Sequence, residues 1–375
     1  MWPKIVIGIL AFIALALGIS IVVDKDLPSL SNVAPAVNDL VGRGQEGEEG
    51  NEVASSSEAL NTAEAKCLDA DSTDFDCYEA YYTDLVKGAG IAVAFSDLRN
   101  RYKANAYVQA QCHPLTHVIG RVAAEGLENP GEAFPKGDAF CWSGYYHGVL
   151  EGVIGKIGLQ NLPSKINTIC STIPGKERYS FDYYNCVHGL GHGVMAITQN
   201  ELFKSLEYCD RITGTWEQKS CASGAFMENV IADQINHSSK YLRPSEPLYP
   251  CTASPEKYKE TCYLMQTSYI LKVTNGDFQK TFAWCRQAES EHQNTCFASL
   301  GRDASGRSLS KVEPTKNVCL LGSPGDEQTY CVVGAVKDFI SYYHSDVQAK
   351  VFCNSFTGPL RETCLSTAES YYQIF

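Results

Sequence analysis

The chain has 375 residues, 44% of them hydrophobic and 20% charged, with a formal net charge of −12. That length and composition describe a globular protein with a large core, and the acidic balance excludes nucleic acid and an anionic membrane surface as main partners. Sixteen cysteines are too sparse in a chain this long to replace a core, so disulfides would reinforce one in an oxidising compartment.

Lys4 precedes an uncharged run from Ile5 to Val23, about the length that crosses a bilayer. The lysine before the run and Asp24 and Asp26 after it put the C-terminal bulk outside. A cleaved signal peptide would have a shorter apolar core and a small-x-small site close behind it. Here the only such site, Ala34-Pro35-Ala36, lies well past the run. Residues 1–23 are therefore expected to be a transmembrane anchor of a single-pass protein, which would be secreted if that segment were cleaved. Residues 24–62, with the run GRGQEGEEGNEVASSSE, read as a disordered acidic stalk.

From Cys67 onward the cysteines fall in neighbouring pairs: 67/77, 170/186, 209/221, 251/262, 285/296, 319/331 and 353/364. The first members from Cys251 recur every 34 residues, which marks a repeat. In each unit an apolar segment such as Asp277–Trp284 leads into the first cysteine, a polar link follows, and the second cysteine opens a segment such as CFASLGRDASG. Apolar residues come at helical spacing. Each unit is read as two antiparallel helices with a disulfide from the end of the first to the start of the second. Such a bridge closes a short loop and contributes about 3 kcal/mol in the chain-entropy model. Cys112 and Cys141 remain and pair by elimination. The expected fold is all-α: an array of disulfide-tied hairpins, open as a solenoid or closed as an α/α toroid. Residues 63–235 carry the histidine-containing repeats and residues 236–375 the regular cysteine-paired ones.

A two-helix unit repeating every 34 residues resembles the tetratricopeptide superfamily, and a bridge inside each hairpin resembles its cysteine-rich relatives. The resemblance runs from Cys67 to Phe375 and concerns architecture. The superfamily's pattern of Trp, Leu-Gly, Tyr and Pro is not present, so no functional residue carries over from it.

The chemistry centres on Cys186–Gly193, CVHGLGHG. His188 and His192 are four apart and share one helix face. His113 and His117, in CHPLTHVIG, repeat that spacing, and His147 lies in CWSGYYHG. Counted six residues from the cysteine that opens each second helix, the slot holds His147, His192, Met227, Ser268, Arg302, Lys337 and Ser370, with His117 five after Cys112. Histidine fills it in three neighbouring units and in no later one, so packing alone does not demand histidine. Neighbouring hairpins stack equivalent faces, and the adjacent glycines permit close helix approach. His113, His117, His147, His188 and His192 are therefore the candidate metal ligands. All-histidine ligation suits zinc or copper first, with iron and non-covalent haem behind them.

Glu151, one turn beyond His147, is the candidate further ligand or general base at a metal-bound water. Glu125 and Glu228 read as solvated helix residues, and His237, His292 and His344 as isolated and exposed. There is no His-Glu-x-x-His motif, serine elbow, phosphate loop or dinucleotide fingerprint. The alternative is an interaction scaffold that binds protein, peptide or glycan, with structural histidines.

Overall fold

A computed structural model describes residues 73–127, 129–231 and 239–373. The expected anchor, the stalk, Cys67 and His237 lie outside the described residues. Among the described residues there is no β-strand, and no helix is long and apolar enough to cross a membrane.

The described residues form fourteen α-helices in order: α1 Phe75–Ala89, α2 Ile91–Ala104, α3 Ala106–Ala123, α4 Gly144–Lys165, α5 Phe181–Ile197, α6 Leu202–Cys209, α7 Thr215–Ile231, α8 Glu256–Val273, α9 Phe278–Cys285, α10 Gln293–Arg307, α11 Val312–Cys319, α12 Asp326–Tyr343, α13 Val347–Asn354 and α14 Gly358–Tyr372. Their starts follow from local chemistry. Asp74, Asn105, Ser180 and Asp277 each turn a side-chain oxygen onto backbone N–H groups of the first turn, which have no intrahelical partner otherwise.

The hairpins are lopsided. Their first helices, α6, α9, α11 and α13, are all 8 residues long, whereas the partners run from 15 to 18 residues. In all four, the bridge starts in the last turn of the short helix or just before its end. Among the described residues, seven cysteine pairs stand at disulfide distance, with Cα separations of 5.3 to 5.9 Å: 112–141, 170–186, 209–221, 251–262, 285–296, 319–331 and 353–364. That agrees with the pairing expected from the sequence, including Cys112 with Cys141. Seven such pairs point to an oxidising, extracytoplasmic environment.

The long helices pack one on the next: α1 on α3, α3 on α4, α4 on α5, α5 on α7, α7 on α8, α8 on α10, α10 on α12 and α12 on α14. Two apolar clusters run along this succession, one from Tyr78 to Cys221 and one from Met195 to Ala368. The succession also meets itself. The indole N–H of Trp142, just before α4, donates to Asp338 of α12 at 3.1 Å, and its ring lies 5.6 Å from that of Tyr342.

Three of these helix pairs cross through glycine. A Cβ on Gly148 of α4 would overlap the His117 carbonyl of α3, and one on Gly120 of α3 would overlap the Tyr145 carbonyl of α4. The same reciprocal contact joins α5 and α7 through Gly191 and Gly224, and α10 and α12 through Gly301 and Gly334. In every case the contacted carbonyl belongs to the residue three before the partner's glycine. This sets a structural equivalence: His117, His188 and Ala298 occupy one position, and Glu151, Met227 and Lys337 occupy another. Counting from the cysteines does not give this alignment, because Cys141 lies before α4 whereas Cys221 and Cys331 lie inside their helices. His147 and His192 are thus not equivalent residues, although both project into the same space.

Candidate metal centre

The three close crossings differ in what they carry. The one between α10 and α12 places Ala298, Arg302 and Val333 where the others have histidine or its neighbours. Close packing therefore does not require imidazoles. In the other two, α3, α4 and α5 turn all five candidate histidines to one point. His117, His147, His188 and His192 are buried and His113 is partly so. The His147 ring sits among the rest, stacked 4.4 Å from His192 and 4.7 Å from His188, with His113 at 5.2 Å and His117 at 5.4 Å between centroids.

Oxygen partners orient four of the five rings at Nδ1. His113 Nδ1 lies 2.8 Å from the Cys141 carbonyl and His117 Nδ1 lies 2.6 Å from Glu151 Oε1. Both oxygens only accept, because burial's upward push on the Glu151 carboxyl is overcome by His117 and Arg121, which hold it below the usual carboxylate range. Each Nδ1 is therefore an N–H, and the Nε2 of each ring faces into the cluster. Those two Nε2 atoms are 3.0 Å apart.

The second pair repeats this. His192 Nδ1 donates to Glu228 Oε2 at 2.8 Å. His188 Nδ1 lies 2.7 Å from Ser223 Oγ and 3.2 Å from the Tyr184 hydroxyl. The Nε2 atoms of His188 and His192 are 3.2 Å apart. His147 Nδ1, by contrast, is buried with no hydrogen-bond partner. An orphaned buried nitrogen costs about 1–3 kcal/mol unless something binds it.

The surroundings hold these rings in place. Burial and the neighbouring imidazoles push His113, His147 and His188 well below the ordinary histidine range, and burial first, with His117, brings His192 down to about 3. The rings are neutral and ready to ligate. Arg121 donates to Glu151 Oε2 at 2.9 Å and pairs with Glu79 of α1 at 2.5 Å, so both Glu151 oxygens are engaged. The Cys141 carbonyl is aimed at His113 by an unusual turn: Cys141, Trp142 and Ser143 all have left-handed φ, between 55° and 63°. Such residues cost about 1–3 kcal/mol each and collect at functional sites.

No family model, curated protein or solved structure matches this chain. The chemistry of the cluster is therefore read from its own residues.

Three ligand groups have donor atoms within 4.8 Å of one another: His113, His117 and His147; His147, His188 and His192; and His117, Glu151, His192 and Glu228. Buried groups of this kind could hold a metal ion. The arrangement matches the pattern of metal-binding histidines, in which the nitrogen away from the metal donates to a carboxylate or carbonyl. Glu228, read from the sequence as solvated, is instead the acceptor for His192, and its side chain is only 17% exposed. Glu125 is exposed and pairs with Lys87, as expected. Sequence reading also missed Ser223 and Arg121, which orient His188 and Glu151. Only a helix wheel of α7 hints at Ser223, four residues before Met227.

Two isolated histidines behave differently. His344 is exposed. His292 is not: it is 8% exposed and stacks on Tyr263 at 5.4 Å. A lone histidine between polar residues shows no burial signal in sequence, because the covering ring comes from α8.

A cavity of about 910 Å³ opens beside the cluster. His113, Trp142, Met227, Met265, Arg302 and Asp338 are among its walls. Among the five histidines it touches His113, and residues of α3, α7, α8, α10 and α12 line it.

Proposed function

We propose that this is an extracytoplasmic metal-binding protein: a curled array of disulfide-tied helical hairpins built around a transition-metal centre in its N-terminal half. His113, His117, His147, His188 and His192 are the ligands, and zinc or copper is the fitting ion. The observation that carries the reading is the contact between His113 and His117. Each ring turns its Nδ1 to an oxygen, and the two Nε2 atoms face each other across 3.0 Å, as two ligands of one ion do. A cation beside them would take both Nε2 atoms, and it would also bind the orphaned His147 nitrogen.

In this reading Glu151 acts as an orienting group, since His117 and Arg121 occupy both its oxygens. A catalytic role for it would require one of those contacts to open. The adjoining cavity gives a bound ion access to a small molecule, and metal-assisted chemistry on such a ligand is the enzymatic form of the proposal.

The competing reading is a scaffold with structural histidines. It draws on the chain Ser223–His188–His192–Glu228, where protons could be shuffled so that every contact is a hydrogen bond. It does not accommodate the partnerless His147 nitrogen. Thermal unfolding separates the two. Excess zinc or copper is expected to raise the Tm of the metal-free protein by about 5 °C or more, and His188→Ala/His192→Ala is expected to reduce that rise sharply. No rise with either ion in the wild type would favour the scaffold.

A further inference from the structure

The second histidine pair has a neighbour that the first lacks. Met227 Sδ lies 3.3 Å from His188 Nε2, the same nitrogen that stands 3.2 Å from His192 Nε2. Two imidazole nitrogens and a thioether sulfur therefore meet at one point.

The crossing equivalence shows that this is a substitution within a fixed frame. Met227 stands where α4 has Glu151 and where α12 has Lys337. In the first crossing the residue there is a carboxylate, and it takes the N–H of His117. In the second it is a thioether, whose sulfur faces Nε2 of His188. One position thus serves orientation in one crossing and faces the donor atoms in the other.

Two nitrogens and a thioether make a soft, three-donor set. Thioether sulfur selects copper(I) over zinc, whereas an all-imidazole set accepts zinc and copper(II). Met227 is also only partly buried and lines the cavity, so an ion has a route to it.

We propose that His188, His192 and Met227 form a copper(I) site at one end of the cluster, distinct from the all-nitrogen set His113, His117 and His147. The inference rests on the reading of the cluster as a metal centre. It adds a ligand, Met227, and an identity for the ion at that end.

The test uses the full chain, kept free of thiol reductants so that the disulfides stay intact. Copper(I) is supplied as its acetonitrile complex against bicinchoninate as competitor, and zinc is titrated separately. Wild type is expected to bind both ions. Met227→Leu is expected to lose about tenfold or more in copper(I) affinity while its zinc affinity stays unchanged. Protein labelled with selenomethionine and loaded with one copper(I) should show a copper–selenium shell in X-ray absorption. That measurement needs no substitution, so it stands even if the leucine variant folds poorly. Copper bound without a selenium shell, or copper(I) affinity untouched in Met227→Leu, would overturn the assignment and leave the metal centre standing. Failure of the wild type to bind either ion would overturn both.

Discussion

His113 and His117 are one helical turn apart on α3, and their Nε2 atoms meet at 3.0 Å while each Nδ1 is turned to an oxygen. The Cys141 carbonyl orients one ring and Glu151 the other, so the two Nε2 atoms are positioned from outside, as the ligands of a metal ion are.

The orienting carboxylates should therefore control affinity without touching the ion. Glu228→Gln keeps the shape but weakens the acceptor for His192. It is expected to lower metal affinity by about 10- to 100-fold, measured by competition with a chelator, with little change in the far-ultraviolet circular dichroism. An unchanged affinity would mean that the His192 ring orientation is set by packing alone.

The close crossings make a sharper structural prediction. Gly148→Ala and Gly224→Ala each place a methyl group into a carbonyl of the neighbouring helix, at His117 and His188. Each is expected to cost about 1–3 kcal/mol in urea unfolding, and to reduce metal binding because the crossing positions the ligands. Gly155→Ala, also in α4 but with nothing within 4 Å of the added carbon, is expected to be neutral or stabilising by up to about 1 kcal/mol. Equal effects at all three glycines would contradict the crossing geometry.

Acid should destabilise the metal-free protein. Burial and neighbouring rings lower the folded-state values of His113, His147, His188 and His192 below those of the unfolded chain. Below about pH 6.5 the unfolded chain then binds more protons than the folded one. The stability these groups contribute is present above that pH and is lost as pH falls, by up to about 1.4 kcal/mol per pH unit for each group. Urea midpoints of metal-free protein at pH 7, 6 and 5 are expected to drop steeply, and His147→Asn to flatten the slope by up to one proton. A midpoint constant from pH 7 to 5 would mean that the rings protonate freely in the folded state.

A distant disulfide supplies the control. The Cys285–Cys296 bridge ties α9 to α10, away from the histidines. Cys285→Ala/Cys296→Ala is expected to lower stability by about 2–4 kcal/mol and to leave the metal content of the folded protein unchanged. Loss of metal in this variant would tie the cluster to global stability and remove the distinction between ligand and scaffold.

Much of this organisation was legible in the sequence. Paired cysteines at a fixed period gave the hairpins and their bridges, because a disulfide needs its partners close and short loops supply that. His-x-x-x-His on α3 and α5 gave two neighbouring imidazole pairs, because helical spacing alone puts such residues on one face. What was not legible depends on how helices cross. Counting from cysteines put His147 and His192 in one slot, whereas the glycine contacts align His117 with His188 and Glu151 with Met227. Glu228 and Ser223 became orienting groups only once α7 was rotated against α5. His292 gave no sign that Tyr263 covers it.

The central claim is that the five histidines bind a transition metal, and elemental analysis of the purified full chain tests it most directly. After expression in medium replete with zinc and copper, the wild type is expected to carry at least one equivalent of either ion per chain, and His188→Ala/His192→Ala clearly less. A folded wild type carrying no stoichiometric metal would contradict the account.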